Sequence, residues 1–273
     1  MSEEARTDFE NDKGIELWPL IERYSADVDL ELAARLEAWR PDFAHIHVHE
    51  VIGGMLARQA TLAKDVARSP ALWTGHSAPI LLRAIADVYI NVAWLLLDPI
   101  ERCSRFILFG LGQAKLELEH RRAQIGAREP TPEEAAMLKA GERWIDGQRI
   151  GWLLDVDLGK WSSLSVRQMA GEAGCLDFYN YVYTPFSACA HSMWHHVARY
   201  DLVKCGNPLH RHHRRPVSET KTPDVYYLTL AAKYWSKTLG TFDRTFALEI
   251  PGPKSYETLM DDLTDGDVDP ASY

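Results

Sequence analysis

The chain has 273 residues, 46% of them hydrophobic and 25% charged, with a formal net charge of -9. This is a globular composition, and the length suffices for a core that needs no disulfide or metal staples. The acidic balance excludes holding duplex nucleic acid non-specifically over the whole surface, which needs clustered Lys and Arg; a local basic patch is a separate matter.

Residues 1–27 mix acids with a few apolar positions and keep no sustained period, so they read as a flexible lead-in. The opening MSEEARTDFEND is too polar for a signal peptide, and a cytoplasmic protein is expected. From Leu30, LELAARLEAW predicts a short helix that stops before Pro41. Apolar spacings of three and four carry a second helix from Asp42 to Arg68, with Gly53 and Gly54 inside it either weakening it or admitting a close neighbour. HIHVHE at 45–50 alternates like a strand, but the flanking period is helical.

Breaks at Ser69-Pro70 and Thr74-Gly75 lead to PILLRAIADVYINVAWLLLD, residues 79–98, the most apolar window of the chain. It is barely long enough to span a bilayer and carries Arg83, Asp87 and Asn91, so it reads as a buried core helix, with no membrane partner. Asp98-Pro99 ends it and starts the next helix, to about Ala127, with Asp98 as N-cap. Thr131-Pro132-Glu133-Glu134 is a capping box opening a helix to about Ile145. Residues 147–176 show no firm period, beyond a short helix near Ser165 to Ala173. A long helix then runs from Asp177 to Val203, kinked at Pro185, and a loop leads to a last helix that starts at Thr222-Pro223-Asp224. Residues 250–273 turn acidic and read as a tail. The prediction is an all-α single domain over 28–249, a bundle of about eight helices.

Two polar stripes mark the candidate site. Arg83, Asp87 and Asn91 share one face of the apolar helix; Tyr183, Ser187, His191 and His195, again four apart, share a face of the later one. In one reading Arg83 and Asp87 are an ion pair that fixes helix register; in the other, Arg83 presents its fork to a phosphate or carboxylate. His191 has the titration range of a general base, with Ser187 one turn away. No GxSxG elbow accompanies that serine, and Walker A, Rossmann and HExxH motifs are absent.

Cys103, Cys175, Cys189 and Cys205 are scattered without a CxxC pair and read as free thiols. Metal-ligand spacings are sparse: Glu117 with His120, a looser Asp42 with His45, His45 with His49, and His191, His195 and His196 beside Asp87. None reaches a complete ligand set, and no metal or cofactor is assigned. The one dense positive run, His210 to Arg215, is either a solvated loop or an anion or RNA contact through Arg211, Arg214 and Arg215.

LLRAIADVYINVAWLLLDP, with RFILFGLGQAK after it and a distant Tyr183-x-x-x-Ser187-x-x-x-His191, resembles a bacterial all-helical family of domains of unknown function over residues 45–200. That family looks related to HEPN-type helical domains, many of them dimeric RNases of defence systems with an R-x4-6-H motif. The one formal match is Arg40-PDFA-His45, where Pro41 puts Arg40 at a helix start. The resemblance implies the fold, a possible homodimer and, with Arg83 and His191 borrowed from two helices, RNA cleavage or phosphoryl transfer. The alternatives are a non-enzymatic module for a small anionic ligand or a protein partner, and a metal-dependent enzyme.

Overall fold

A computed structural model describes residues 17–149, 162–219 and 221–265. Eleven helical segments follow in order: α1 (Leu17–Ala38), α2 (Ile46–Ala67), α3 (Ala78–Leu95), α4 (Pro99–Ile125), α5 (Pro132–Arg149), α6 (Val166–Glu172), α7 (Leu176–Phe178), α8 (Thr184–Ala190), α9 (Trp194–Tyr200), α10 (Tyr226–Phe246) and α11 (Ser255–Asp265). A π-helical turn, Tyr179–Tyr183, joins α7 to α8 without a break, which leaves ten continuous helices among the described residues. The all-α class is as predicted, and eight helices is a small undercount.

Helix α3 is the axis. Leu82, Ile85, Ala86, Ile90, Val92 and Leu95 are wholly buried, and the helix packs against α2, α10 and α8 at once. A helix that is apolar nearly all round must be covered nearly all round. It is long and apolar enough to cross a membrane, but most of it is enclosed by its own neighbours. Its last turn is tied by Arg102, whose Nη1 donates to the Trp94 carbonyl at 2.7 Å. Asp98, expected as the N-cap of α4, makes no side-chain cap bond; Pro99 alone opens that helix. The Thr131 box forms as predicted: Glu134 N–H donates to the Thr131 hydroxyl at 3.3 Å and Thr131 N–H to the Glu134 carboxylate at 2.8 Å. Helices α4 and α5 pack closely at Gly141, where a Cβ would fall 2.6 Å from Leu118 Cδ2.

Both predicted termini need correction. The lead-in was placed through residue 27, yet α1 begins at Leu17, and Leu20, Ile21 and Tyr24 are core residues. The acidic tail was placed from residue 250, yet α11 buries Leu259 and Ser255 against α1 and α10. Residues 1–16 and 266–273 lie outside the described residues. Long-range polar bonds help to hold both segments to the core. Glu31, buried on α1, accepts from Trp235 Nε1 at 2.9 Å and from the Ser255 hydroxyl at 2.5 Å. Arg35 meets Asp243 through two parallel bonds of 2.9 and 2.7 Å and donates to the Glu31 carbonyl. Burial holds the Glu31 carboxyl above its ordinary range, although the Ser255 and Trp235 bonds draw it down in part.

Among the described residues the only strands are β1 (Leu202–Lys204) and β2 (Arg214–Pro216), an antiparallel pair with Lys204 opposite Arg214; β1 replaces the end of the predicted helix to Val203, and β2 lies in the predicted loop. HIHVHE is helical from Ile46, as its flanks required.

If residues after 250 were a tail, they would be dispensable. Instead, Leu259→Ala is expected to cost about 2–4 kcal/mol in urea denaturation, as for other buried leucines; an unchanged midpoint would mean that α11 is not part of the core.

Candidate functional site

Arg83 sits where α3 meets the π turn and α8. Its Nε donates to the Ser187 hydroxyl at 3.0 Å, one Nη to the Asp87 carboxylate and the other to the Tyr183 hydroxyl. The guanidinium carbon also lies 3.4 Å from the centroid of the Tyr183 ring, and Tyr179 stacks on that ring at 4.8 Å. Three N–H groups of the fork are thus turned inward to protein acceptors. The Arg83 side chain is 14% exposed and that of Asp87 40%. Burial raises the Asp87 carboxyl above the usual range even though Arg83 pulls it down, so the arginine only partly offsets the lost water. Burial likewise raises the Tyr183 phenol, with the Asp87 charge adding to it.

The π turn accounts for Tyr183 reaching Arg83. A proline inside a helix lacks an N–H and crowds the carbonyl four residues back. Pro185 is accommodated because the preceding turn is widened: Thr184 N–H and its hydroxyl both return to the Tyr179 carbonyl, five residues back. The expected kink at Pro185 is therefore a π turn, and the helix continues through it.

The helix ends five residues later, at Ala190. Met193 N–H bonds the Ala188 carbonyl at 2.9 Å and Ser192 N–H the Cys189 carbonyl at 3.0 Å, with Ser192 at φ 49°. This is a Schellman ending with a serine in the left-handed position where glycine is usual. The predicted single helix from Asp177 to Val203 is corrected accordingly: α9 is a separate helix. Of the four-residue stripe, Tyr183 and Ser187 meet Arg83. His191, the C-cap of α8, and His195, on α9, are exposed and make no bond to the Arg83 centre among the described residues.

Asn91 lies one turn beyond Asp87 and shares with it a groove of about 440 Å³ between α2, α3 and the start of α4. Glu50, Gly54 and Arg58, four residues apart, line it from α2, and Phe106 of α4, Met55 and Val88 line it with apolar surface. Glu50 and Arg58 are exposed, and a Cβ at Gly54 would meet nothing within 4 Å. This α2 row is absent from the predicted site residues: its i, i+4, i+8 spacing is present in the sequence, but the glycine in the row breaks the polar stripe.

The other candidates are spent locally. Glu117 pairs with Arg121 on a solvated face and His120 is exposed, so no second carboxylate–histidine set joins them among the described residues. His45 Nδ1 pairs with Asp42 at 2.8 Å, and His49 stacks on Trp39. His196 packs with His76 and Tyr200 rather than beside Asp87. Arg211, Arg214 and Arg215 are exposed on the β1–β2 hairpin, Arg214 donating to the Ala198 carbonyl.

Fold and site together define an all-α protein whose centre is an arginine clasp between helices, flanked by a mixed-charge groove. The chain belongs to the family of unknown function DUF5677, whose model matches residues 49–207, from α2 through β1, and so contains both the clasp and the groove. Comparison with curated proteins and with solved structures gives no match.

Removing the fork would strand Asp87, Tyr183 and Ser187. Arg83→Met is expected to lower stability by about 1–3 kcal/mol, the cost of orphaned, partly buried partners. Arg83→Lys should recover little of this, since one ammonium cannot reach three acceptors set around a planar fork. Urea denaturation of both variants checks it.

Proposed function

We propose that this protein is a helical ligand-binding module and that its site is the groove formed by Glu50, Gly54, Arg58, Asp87, Asn91 and Phe106. The observation that carries this is Asp87. One of its oxygens accepts from Arg83, its other oxygen has no hydrogen bond among the described residues, and its carboxyl stays raised because Arg83 does not make up for burial. A donor entering the groove would take the place of water at that oxygen. Arg83 and Arg58 balance the charges of Asp87 and Glu50, so the head group is set by acceptors: Glu50 and the second oxygen of Asp87 suit a nitrogen that donates hydrogen bonds, such as an amine, in place of the anionic ligand expected from the sequence, and Phe106, Met55 and Val88 suit an apolar body.

RNA cleavage or phosphoryl transfer, implied by the HEPN resemblance, has weaker support. It needs an arginine fork open to a phosphoryl oxygen and a histidine facing the attacking hydroxyl. Here three donors of Arg83 are engaged, and His191 and His195 are exposed past the end of α8. RNA cleavage by wild type that is abolished in His191→Ala would reverse this preference.

The groove reading is tested by screening small apolar amines and matched carboxylates for a thermal shift. Amines are expected to raise Tm, and Gly54→Phe, which fills open space without touching the clasp, should abolish the shift while leaving the protein folded. Amine binding requires ionised Asp87. Because its carboxyl is raised, affinity should begin to fall at a higher pH than for an ordinary carboxylate, and should keep falling as the pH drops. Shifts with carboxylates alone, or shifts untouched by Gly54→Phe, contradict the proposal.

A further inference from the structure

The β1–β2 hairpin gathers three metal-ligating side chains that neither the clasp nor the groove uses. The ligand atoms of Cys205, His210 and His213 all lie within 4.8 Å of one another. Cys205 Sγ is 3.7 Å from His210 Nδ1. Two ligands on one tetrahedral zinc, at about 2.3 Å for sulfur and 2.0 Å for nitrogen, are about 3.6 Å apart. The backbone fixes this arrangement. Cys205 N–H donates to the His213 carbonyl, His213 N–H to the His210 carbonyl and His210 N–H to the Asn207 carbonyl, each at 3.0 Å. Lys204 and Arg214, next to the first and last ligands, are paired across the two strands.

The two imidazoles meet edge to face with centroids 5.5 Å apart, and the cluster lies at the surface. His210 and His213 are exposed and Cys205 is half-buried. The other three cysteines are buried, and burial pushes each of their thiols up, that of Cys103 to about 12. Cys205 is thus the accessible thiol of the chain, and it is the one held beside two imidazoles.

We propose that Cys205, His210 and His213 form a binding site for a zinc-type divalent transition metal. The spacing is C-x4-H-x2-H, and the family match to residue 207 takes in Cys205 but neither histidine. A sulfur and two nitrogens suit zinc or cobalt and not magnesium or calcium, which take oxygen ligands. On binding, the Cys205 thiol loses its proton to solvent and its sulfur bonds the ion; each neutral imidazole contributes one nitrogen lone pair. Three protein ligands leave a fourth position to water. Arg211, Arg214 and Arg215 oppose a cation here, but they are exposed, so salt screens them, and the thiolate cancels one charge of the ion. The metal would join the two ends of the hairpin, independently of what the groove binds.

The test uses the full chain without a histidine tag, stripped by chelator and titrated with Co²⁺. The expected result is one equivalent bound, with the strong visible bands of a tetrahedral site and a thiolate-to-cobalt charge-transfer band, both displaced by Zn²⁺. Cys205→Ser should remove the charge-transfer band. His213→Ala should weaken binding by more than the ~10–100-fold that loss of an outer-shell partner costs. His195→Ala, outside the cluster, should change neither, and circular dichroism should show all variants folded. No charge-transfer band, or a band that survives Cys205→Ser, overturns the proposal.

Discussion

One planar guanidinium meets a carboxylate on its own helix and two hydroxyls on another, and the packing around α3 depends on that meeting. Twelve of the eighteen residues of α3 are buried and apolar, and Arg83 lies beside them largely out of water, so its charge needs the partners it has. The partners come from a segment that is locally unusual: a π turn widened ahead of Pro185 carries Tyr183, and the α-helical turn after it carries Ser187. Tyr179 stacks behind Tyr183, and Arg83 lies over the ring, so the aromatic pair backs the fork as well as accepting from it. A buried ion pair is weak evidence for net stability, because desolvation offsets most of the attraction. Its geometry points to a different role, that of fixing where α8 rests on α3.

The same pair connects the interior to the groove. Asp87 belongs to both: one oxygen is fixed by Arg83, and the residue lines the cleft shared with Glu50, Arg58 and Asn91. The raised Asp87 carboxyl shows that the clasp leaves part of its burial cost uncompensated. A site in which a charged group is held on one side and open to the groove on the other is suited to ligand recognition, since the holding residue has already fixed its orientation.

Much of this was legible from spacing. The i, i+4 stripe on α3, its partners Tyr183 and Ser187, the Thr131 capping box and the all-α class all follow from local pattern. The failures share a cause, in that they turn on backbone events or distant bonds. The stripe stops before His191 and His195 because α8 ends in a left-handed Ser192, and serine carries none of the signal that glycine would there. The first half of α1 and all of α11 lie outside the predicted helices, and the bonds that hold them are polar and remote: Glu31 meets Ser255 across 224 residues of chain. The strand pair was hidden by its length of three residues on each side, and with it the turn that brings Cys205 to His210 and His213.

A double-mutant cycle between Arg83→Met and Tyr183→Phe measures the clasp most directly, because both side chains keep their bulk while the shared bond is lost. With unfolding free energies from urea titration, the account predicts a coupling of about 1 kcal/mol or more, within the range for partners in one network. Additive effects would contradict it, and Arg83 would then be a buried charge that is tolerated without organising the helices around it.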